Sequence, residues 1–175
     1  VLFIHRPLKN AKSDVALQKI CIDSMSKILE YRKLLGVDKM TGLKELKTVY
    51  RNFMKEWHPD KFQDNHEGQA EAEKKSKKII EAYHFLVSIA PETQAANLEA
   101  YTATITVATI VDFQYKGQTL QIDFSDGNSY EYLEVPKATY VKLVNAETQG
   151  RFARRHICTS FVYRNVSSNN TAAAQ

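Results

Sequence analysis

The sequence predicts an α unit followed by an α+β unit: an N-terminal helical hairpin, then a small antiparallel sheet with one helix. Three observations predict it. Up to about residue 100 the chain is rich in Lys, Glu, Leu and Ala, with apolar residues at helical spacing. Beyond that point Thr, Val, Ile, Tyr and Phe alternate with polar residues, the period of a half-buried strand. Between the two clearest helical segments stands Pro59, where a helix cannot continue.

The totals exclude several classes. A chain of 175 residues suffices for two small domains. With 43% hydrophobic and 25% charged residues, the composition is that of an ordinary soluble protein. No apolar run reaches bilayer length, and Val1 to Ile4 is too short for a signal-peptide core. Net charge is +4, too mild to argue for nucleic acid by itself. Cys21 and Cys158 lie far apart and outside any Cys-x-x-Cys pair, so neither a disulfide framework nor a zinc site is expected. Reduced thiols and a cytoplasmic location are the expectation, with no membrane contact.

The elements follow in order. Ser13-Asp14 would cap a first helical stretch, one helix or two, running towards Leu35, with Gly36 as its stop. Thr41 is the expected N-cap of a second helix that runs to Trp57. On its wheel Leu46, Tyr50, Phe53 and Trp57 share one face, and Lys44, Lys47, Arg51 and Lys55 the opposite one. Lys61 to Gly68 reads as a loop. A third helix spans roughly Gln69 to Ala90, with Ala72, Ser76, Ile79, Tyr83, Leu86 and Ala90 inward, and packs antiparallel on the second. Pro91 to Ala103 reads as a linker with a short helical piece.

Ile105, Val107, Val111, Phe113 and Tyr115 then alternate as a strand, with a turn at Lys116-Gly117. Leu120, Ile122 and Phe124 form a second strand, and Ser125-Asp126-Gly127-Asn128 a hairpin turn. Tyr130 and Tyr132 share one face of a third. Pro136 opens a helix to about Glu147 with Tyr140, Leu143 and Val144 inward, and Phe161 to Val166 is a last strand. The division is then a helical extension over 1–27, a hairpin domain over 28–90, a linker over 91–103, an α+β domain over 104–166 and a disordered tail over 167–175.

The first motif is His58-Pro59-Asp60. A given tripeptide occurs by chance in roughly 1% of chains this long, so it informs only in context. Here it follows a helix with a basic face and precedes a second amphipathic helix. Tyr31-Arg-Lys-Leu-Leu-Gly-Val37, Leu46-Lys-Thr-Val-Tyr-Arg-Asn-Phe-Met-Lys-Glu-Trp-His-Pro-Asp-Lys61 and Ile80-Glu-Ala-Tyr-His-Phe-Leu86 together resemble the three helices of a J-domain. The resemblance implies a co-chaperone: the basic face docks on an acidic surface of a DnaK-type ATPase, and the tripeptide loop reaches the junction of that partner's two parts and speeds ATP hydrolysis.

Position by position, the resemblance assigns this docking to Lys47, Tyr50, Arg51, His58, Pro59 and Asp60. Lys44 and Lys55 extend the stripe by helical geometry alone. The chemistry is consistent: Asp60 is a loop-tip acceptor for a partner arginine, Pro59 stiffens the loop, and the lysines raise the encounter rate. Each residue also has a plainer reading. A lysine stripe can be a solvated face, Tyr50 can be a core residue, and His58 can be a helix C-cap favoured by the dipole. Asn52 replaces a usual basic residue, and Ser76 a usual buried Phe, whose space Trp57 and Met54 would refill. The basic fourth helix, the Gly/Phe-rich linker and the cysteine-rich zinc module of larger J-proteins are missing.

The second motif lies in Val111 to Val166, which resembles the KTSC domain, a module also found at the C-terminus of some lysyl-tRNA synthetases. Leu120-Gln-Ile-Asp-Phe124, Gly127, Tyr130-Glu-Tyr132, Val135-Pro136, Tyr140, Leu143, Ala146, Gly150-Arg-Phe152, Ile157 and Tyr163-Arg164 carry the resemblance. The usual starting serine pair is not evident, and RNA binding is only a suggested role for the family. Tyr130 and Tyr132 could stack bases, and Arg151, Arg154, Arg155 and Arg164 with His156 could track phosphates. Alternatively the tyrosines are core, packed on the helix bearing Tyr140 and Leu143.

No phosphate loop, nucleophile elbow or metal-ligand spacing is present. His58, Asp60, Asp64 and His66 fall on one loop without ligand register, so neither metal nor cofactor is expected. The expectation is a non-enzymatic co-chaperone whose C-terminal module serves targeting or an unknown client. The alternatives are an RNA-binding adaptor and a J-like scaffold that binds its partner without activating it.

Overall fold

A computed structural model of the chain describes residues 26–62 and 66–167. The expected helix start at Ser13-Asp14, Cys21, Asp64 and the tail beyond Ser167 lie outside the described residues. The described chain is helical up to residue 107 and then forms a four-stranded antiparallel sheet with further helices, the α plus α+β class that the periodicity predicts.

Helix α1 (Lys27–Leu35) stops where expected: Gly36 takes φ 65, and the amides of Gly36 and Val37 donate to the carbonyls of Lys33 and Arg32. Helix α2 (Leu43–Trp57) starts differently from the expectation. Gly42, not Thr41, is the N-cap residue. The Thr41 hydroxyl is engaged behind the helix, accepting from the Asp38 amide and donating to Asp38 Oδ1, each at 3.1 Å. The orphan Leu43 N–H donates instead to Glu92 Oε1 at 3.2 Å. A Cβ on Gly42 would lie 2.6 Å from that carboxylate oxygen, so any larger residue here would have to displace the end of the Glu92 side chain.

Helix α3 (His66–Ser88) returns antiparallel to α2 after a 3₁₀ turn (Pro59–Phe62). Leu46, Ile79, Ala82, Phe85 and Leu86 close the core between α1, α2 and α3. Aromatic contacts pin it at two points, Tyr31 edge-on to Phe85 at 5.0 Å and Tyr50 stacked on Tyr83 at 4.3 Å.

The expected linker is helix α4 (Pro91–Val107), and Ile105 and Val107 belong to it rather than to a strand. Local β-branched residues misled the periodicity; tertiary contacts overrode them. Pro91 sets the first turn, and two buried side chains anchor the rest. The Tyr101 hydroxyl donates to Cys158 C=O at 2.7 Å and lies 3.2 Å from the Tyr132 hydroxyl. The Thr104 hydroxyl donates to Asp126 Oδ2 at 2.7 Å.

The sheet runs β1 (Ile110–Lys116), β2 (Thr119–Phe124), β3 (Ser129–Tyr132) and β4 (Tyr163–Asn165), paired in that order. Gly117 and Gln118 both take positive φ between β1 and β2, the pattern of a two-residue type I′ turn. Gly127 at φ 83 completes the second expected turn. Two helices, not one, follow: α5 (Lys137–Val144) and α6 (Gln149–His156). The second escaped the sequence reading because Ala153 is its sole buried residue, leaving no apolar repeat. Val144, expected inward, is 44% exposed, while Leu143 is fully buried. Ser167 is held to the sheet, its Oγ accepting from the Ser129 amide at 2.8 Å.

The two units are packed together. Leu133, 3% exposed, belongs to the helical core although it follows β3. The Arg164 guanidinium lies 4.8 Å from the Phe85 ring centre while pairing with Glu131 at 2.6 Å. Gln94 Nε2 donates to Tyr163 C=O at 2.5 Å.

Two expectations follow. Leu133→Ala empties a site shared by both units and costs about 2–4 kcal/mol, read by chemical denaturation. At Asp126 burial pushes the carboxyl up, but hydrogen bonds from Thr104 and Asn128 outweigh it and hold the pKa below its ordinary value. Its contribution is therefore full above the ordinary carboxylate pKa and is lost as pH falls through the lowered folded value. Asp126→Asn removes that part of the acid limb in a series of melts against pH.

Candidate functional site

The site is built from one helix face and the turn that ends it. The α2 residues Lys47, Arg51 and Lys55 succeed one another at four-residue steps and so share a face, with Tyr50 at its border, three residues beyond Lys47. Pro59 ends the helix by denying it a backbone donor, and His58 before it takes φ −68, ψ 128, the extended geometry proline demands of its predecessor. The Lys61 amide donates to His58 C=O at 3.1 Å and closes the turn. The acidic residue is thereby presented at a tip, its side chain 73% exposed.

Among the described residues, the Asp60 carboxylate has one polar contact. Its Oδ2 lies 3.4 Å from His58 Nδ1, an ion pair when the imidazole is protonated, and its amide faces the same nitrogen at 3.4 Å. These are long contacts, so the carboxylate keeps its acceptor capacity. An open depression runs from helix to turn, lined by Tyr50, Arg51, Met54, Lys55, His58, Asp60 and Lys61. Four of the expected side chains (Tyr50, Arg51, Lys55, His58) thus meet Asp60 in one place. Lys47 is exposed one turn further along α2. Tyr50 satisfies both of its readings, stacking on Tyr83 while lining the depression. Asn52 is exposed on α2.

Sequence reasoning missed Met54 and Lys61 as parts of this surface. Met54 stands one turn beyond Tyr50, a signal that helical spacing carries; Lys61 is placed only by the turn. Ser76 is buried and donates to Glu73 C=O at 3.0 Å. Trp57 lies between Phe62, stacked at 6.1 Å, and the Lys75 ammonium, 3.5 Å from its ring centre. This cluster ties the base of the turn to α3.

The C-terminal face is not brought together as expected. Tyr130 and Tyr132 are 2% and 0% exposed and cannot stack bases. Tyr130 packs edge-on against Tyr101 at 5.0 Å, and the Tyr132 hydroxyl lies 3.2 Å from Cys158 Sγ. Burial, first of all, pushes the hydroxyls of Tyr101 and Tyr132 well above the ordinary phenol value. They are core, as the alternative reading has it, but their partner is Tyr101 of the segment taken for a linker. Arg164 is committed to Glu131 and Phe85 and is not free for phosphate. Arg151, Arg154 and Arg155 are exposed on α6, and Arg154 also donates to Ala108 C=O at 3.4 Å.

An exposed acidic turn beside a basic helix, on a helical hairpin, defines the class of module. Residues 30–94 match the family model for the DnaJ domain, and residues 106–161 that for the KTSC domain. The chain therefore carries a DnaJ domain followed by a KTSC domain. Among similar proteins, a chaperone protein DnaJ of Thermoplasma volcanium is 46% identical over 57 residues, 33% of this chain and 15% of that protein. A chaperone protein DnaJ of Thermoplasma acidophilum is 36% identical over 94 residues, 54% of this chain and 22% of that protein. DnaJ homolog subfamily B member 6 of Bos taurus is 39% identical over 59 residues, 34% of this chain and 23% of that protein. The chain thus spans less than a quarter of the length of these relatives. No solved structure matches it. Among the described residues, no helix is long and apolar enough to cross a membrane.

Because Asp60 and His58 are exposed and weakly engaged, the fold does not rest on them. Asp60→Asn is expected to change unfolding free energy by no more than about 0.5 kcal/mol, measured in urea.

Proposed function

We propose that this protein is a co-chaperone that binds a DnaK-type ATPase through the depression between α2 and the His58–Asp60 turn and stimulates ATP hydrolysis. The carrying observation is the meeting of Tyr50, Arg51, Lys55 and His58 around an exposed Asp60 carboxylate. Arg51, Lys55 and Lys47 attract an acidic surface and orient it along α2. Asp60 then makes a charge-assisted hydrogen bond to an arginine of the partner. Pro59 holds the turn, so little conformational freedom is lost on docking. The chain itself needs no catalytic group; the chemistry belongs to the ATPase. The KTSC domain serves a client or a target site, and the cytoplasm is the compartment.

An RNA-binding adaptor would rest on Arg151, Arg154 and Arg155 with His156, since the tyrosines are buried and Arg164 is paired. That leaves phosphate attraction without a stacking platform, so the co-chaperone reading is preferred.

The test is single-turnover ATP hydrolysis by a DnaK-type chaperone. Wild type is expected to raise the rate and Asp60→Asn to leave it at the basal level. Equal rates with both would falsify activation, and a complex without a rate increase would identify a non-activating scaffold. Arg51→Ala is expected to raise the half-saturating concentration roughly 3–10-fold at low salt, with a smaller effect at high salt.

A further inference from the structure

The sheet has two edges, and they are treated differently. At one edge β4 is three residues long, and its Tyr163 carbonyl accepts from Gln94 of α4. At the other, β1 is seven residues long and, among the described residues, pairs only with β2. The direction of its free groups follows from the turn. A two-residue hairpin makes Lys116 and Thr119 a hydrogen-bonded pair, and such pairs alternate along the ladder. Gln114–Gln121 is therefore hydrogen-bonded, whereas Tyr115–Leu120 and Phe113–Ile122 are not. The N–H and C=O groups of Phe113 and Tyr115 then point off the sheet. In agreement, the Phe113 amide donates to its neighbour Asp112 Oδ1 at 2.8 Å and not across the ladder.

We infer that β1 is a dimer seam, pairing antiparallel with β1 of a second copy of this chain about a twofold axis through Gln114 to make a continuous eight-stranded sheet. The register is fixed by charge. With Gln114 opposite the partner's Gln114, Asp112 stands opposite the partner's Lys116, and Lys116 opposite the partner's Asp112. These pairs fall at non-hydrogen-bonded positions, where side chains approach most closely. Neither residue has an ion-pair partner within the described residues. Sliding the strands by two residues loses both ion pairs, and sliding by four sets Asp112 against Asp112 or Lys116 against Lys116.

The apolar side of the seam is also self-complementary. Phe113 falls opposite the partner's Tyr115, a cross-strand aromatic pair. Behind it, Tyr140 of α5 stacks on Tyr115 at 4.6 Å and meets Phe113 edge-on at 6.2 Å. The same short helix carries Val141 and Val144, each 44% exposed. The kink left by the irregularity between Ile110 and Asp112 limits pairing to the five residues from Asp112 to Lys116. Such a short, charge-keyed edge favours one register over open-ended association. The dimer would carry two His58–Asp60 turns on one particle, and it stands independently of whether those turns activate an ATPase.

The full chain is to be examined by sedimentation equilibrium over a concentration series. A reversible dimer is expected, with a dissociation constant raised about tenfold by Lys116→Asp, which sets four carboxylates against one another. Asp112→Lys combined with Lys116→Asp exchanges the charges and should restore dimerisation. In a Cys21→Ser background, Gln114→Cys is expected to form an intermolecular disulfide on mild oxidation faster than Gln118→Cys. A chain that stays monomeric throughout the series, a dimer indifferent to both charge variants, or equal cross-linking at the two positions would each overturn the seam. Far-UV circular dichroism of each variant checks that the exposed substitutions leave the fold intact.

Discussion

The constraint from which the site follows is the refusal of Pro59 to continue a helix. Proline removes one donor and forces His58 into extended geometry, so α2 stops with its basic face still pointing to solvent. The next residues must turn within four positions, and the turn lifts Asp60 away from the core. A negative group and a positive stripe are thereby held side by side without neutralising each other. Had the helix run on for one more turn, Asp60 would have become another helical surface residue, available for an ordinary i,i+4 pair.

That arrangement holds because the base of the turn is anchored. Tyr50 on Tyr83 and Trp57 between Phe62 and Lys75 fix α2 and the turn to α3. The apolar face therefore does two jobs through different residues: Leu46 is fully committed to the core, while Tyr50 and Met54 show an edge to the depression. A partner that docked here would meet charge at the rim and apolar surface at the centre, the usual anatomy of a protein interface.

The second unit depends on Tyr101. Its hydroxyl reaches Cys158 and Tyr132, its ring stacks on Tyr163 and meets Tyr130, and its helix caps α2 through Glu92. One helix thus links the DnaJ domain to the interior of the KTSC domain. With Leu133 and Arg164 inserted in the other direction, the interface is reciprocal. The Tyr130-Glu-Tyr132 centre of the KTSC domain serves packing: both rings face α4, and Glu131 between them faces Arg164.

The sequence by itself determined the helical hairpin, the strand periods, both glycine turns and the tripeptide. Each rests on a rule that acts within a few residues: amphipathic spacing, positive φ at glycine, and the missing proline donor. What only the tertiary structure decided is everything whose partner is distant in sequence. Pro91 to Val107 became a helix because Tyr101 and Thr104 found acceptors in the Cys158 carbonyl and the Asp126 carboxylate of the second unit, against the pull of local β-branched residues. Thr41 lost the cap to Glu92, which lies 49 residues from the Leu43 amide it accepts from. Tyr130 and Tyr132 look identical to a base-stacking pair in one dimension; only the ring opposite them shows that they are core. Burial is a property of the partner surface, and no local pattern states where that surface comes from.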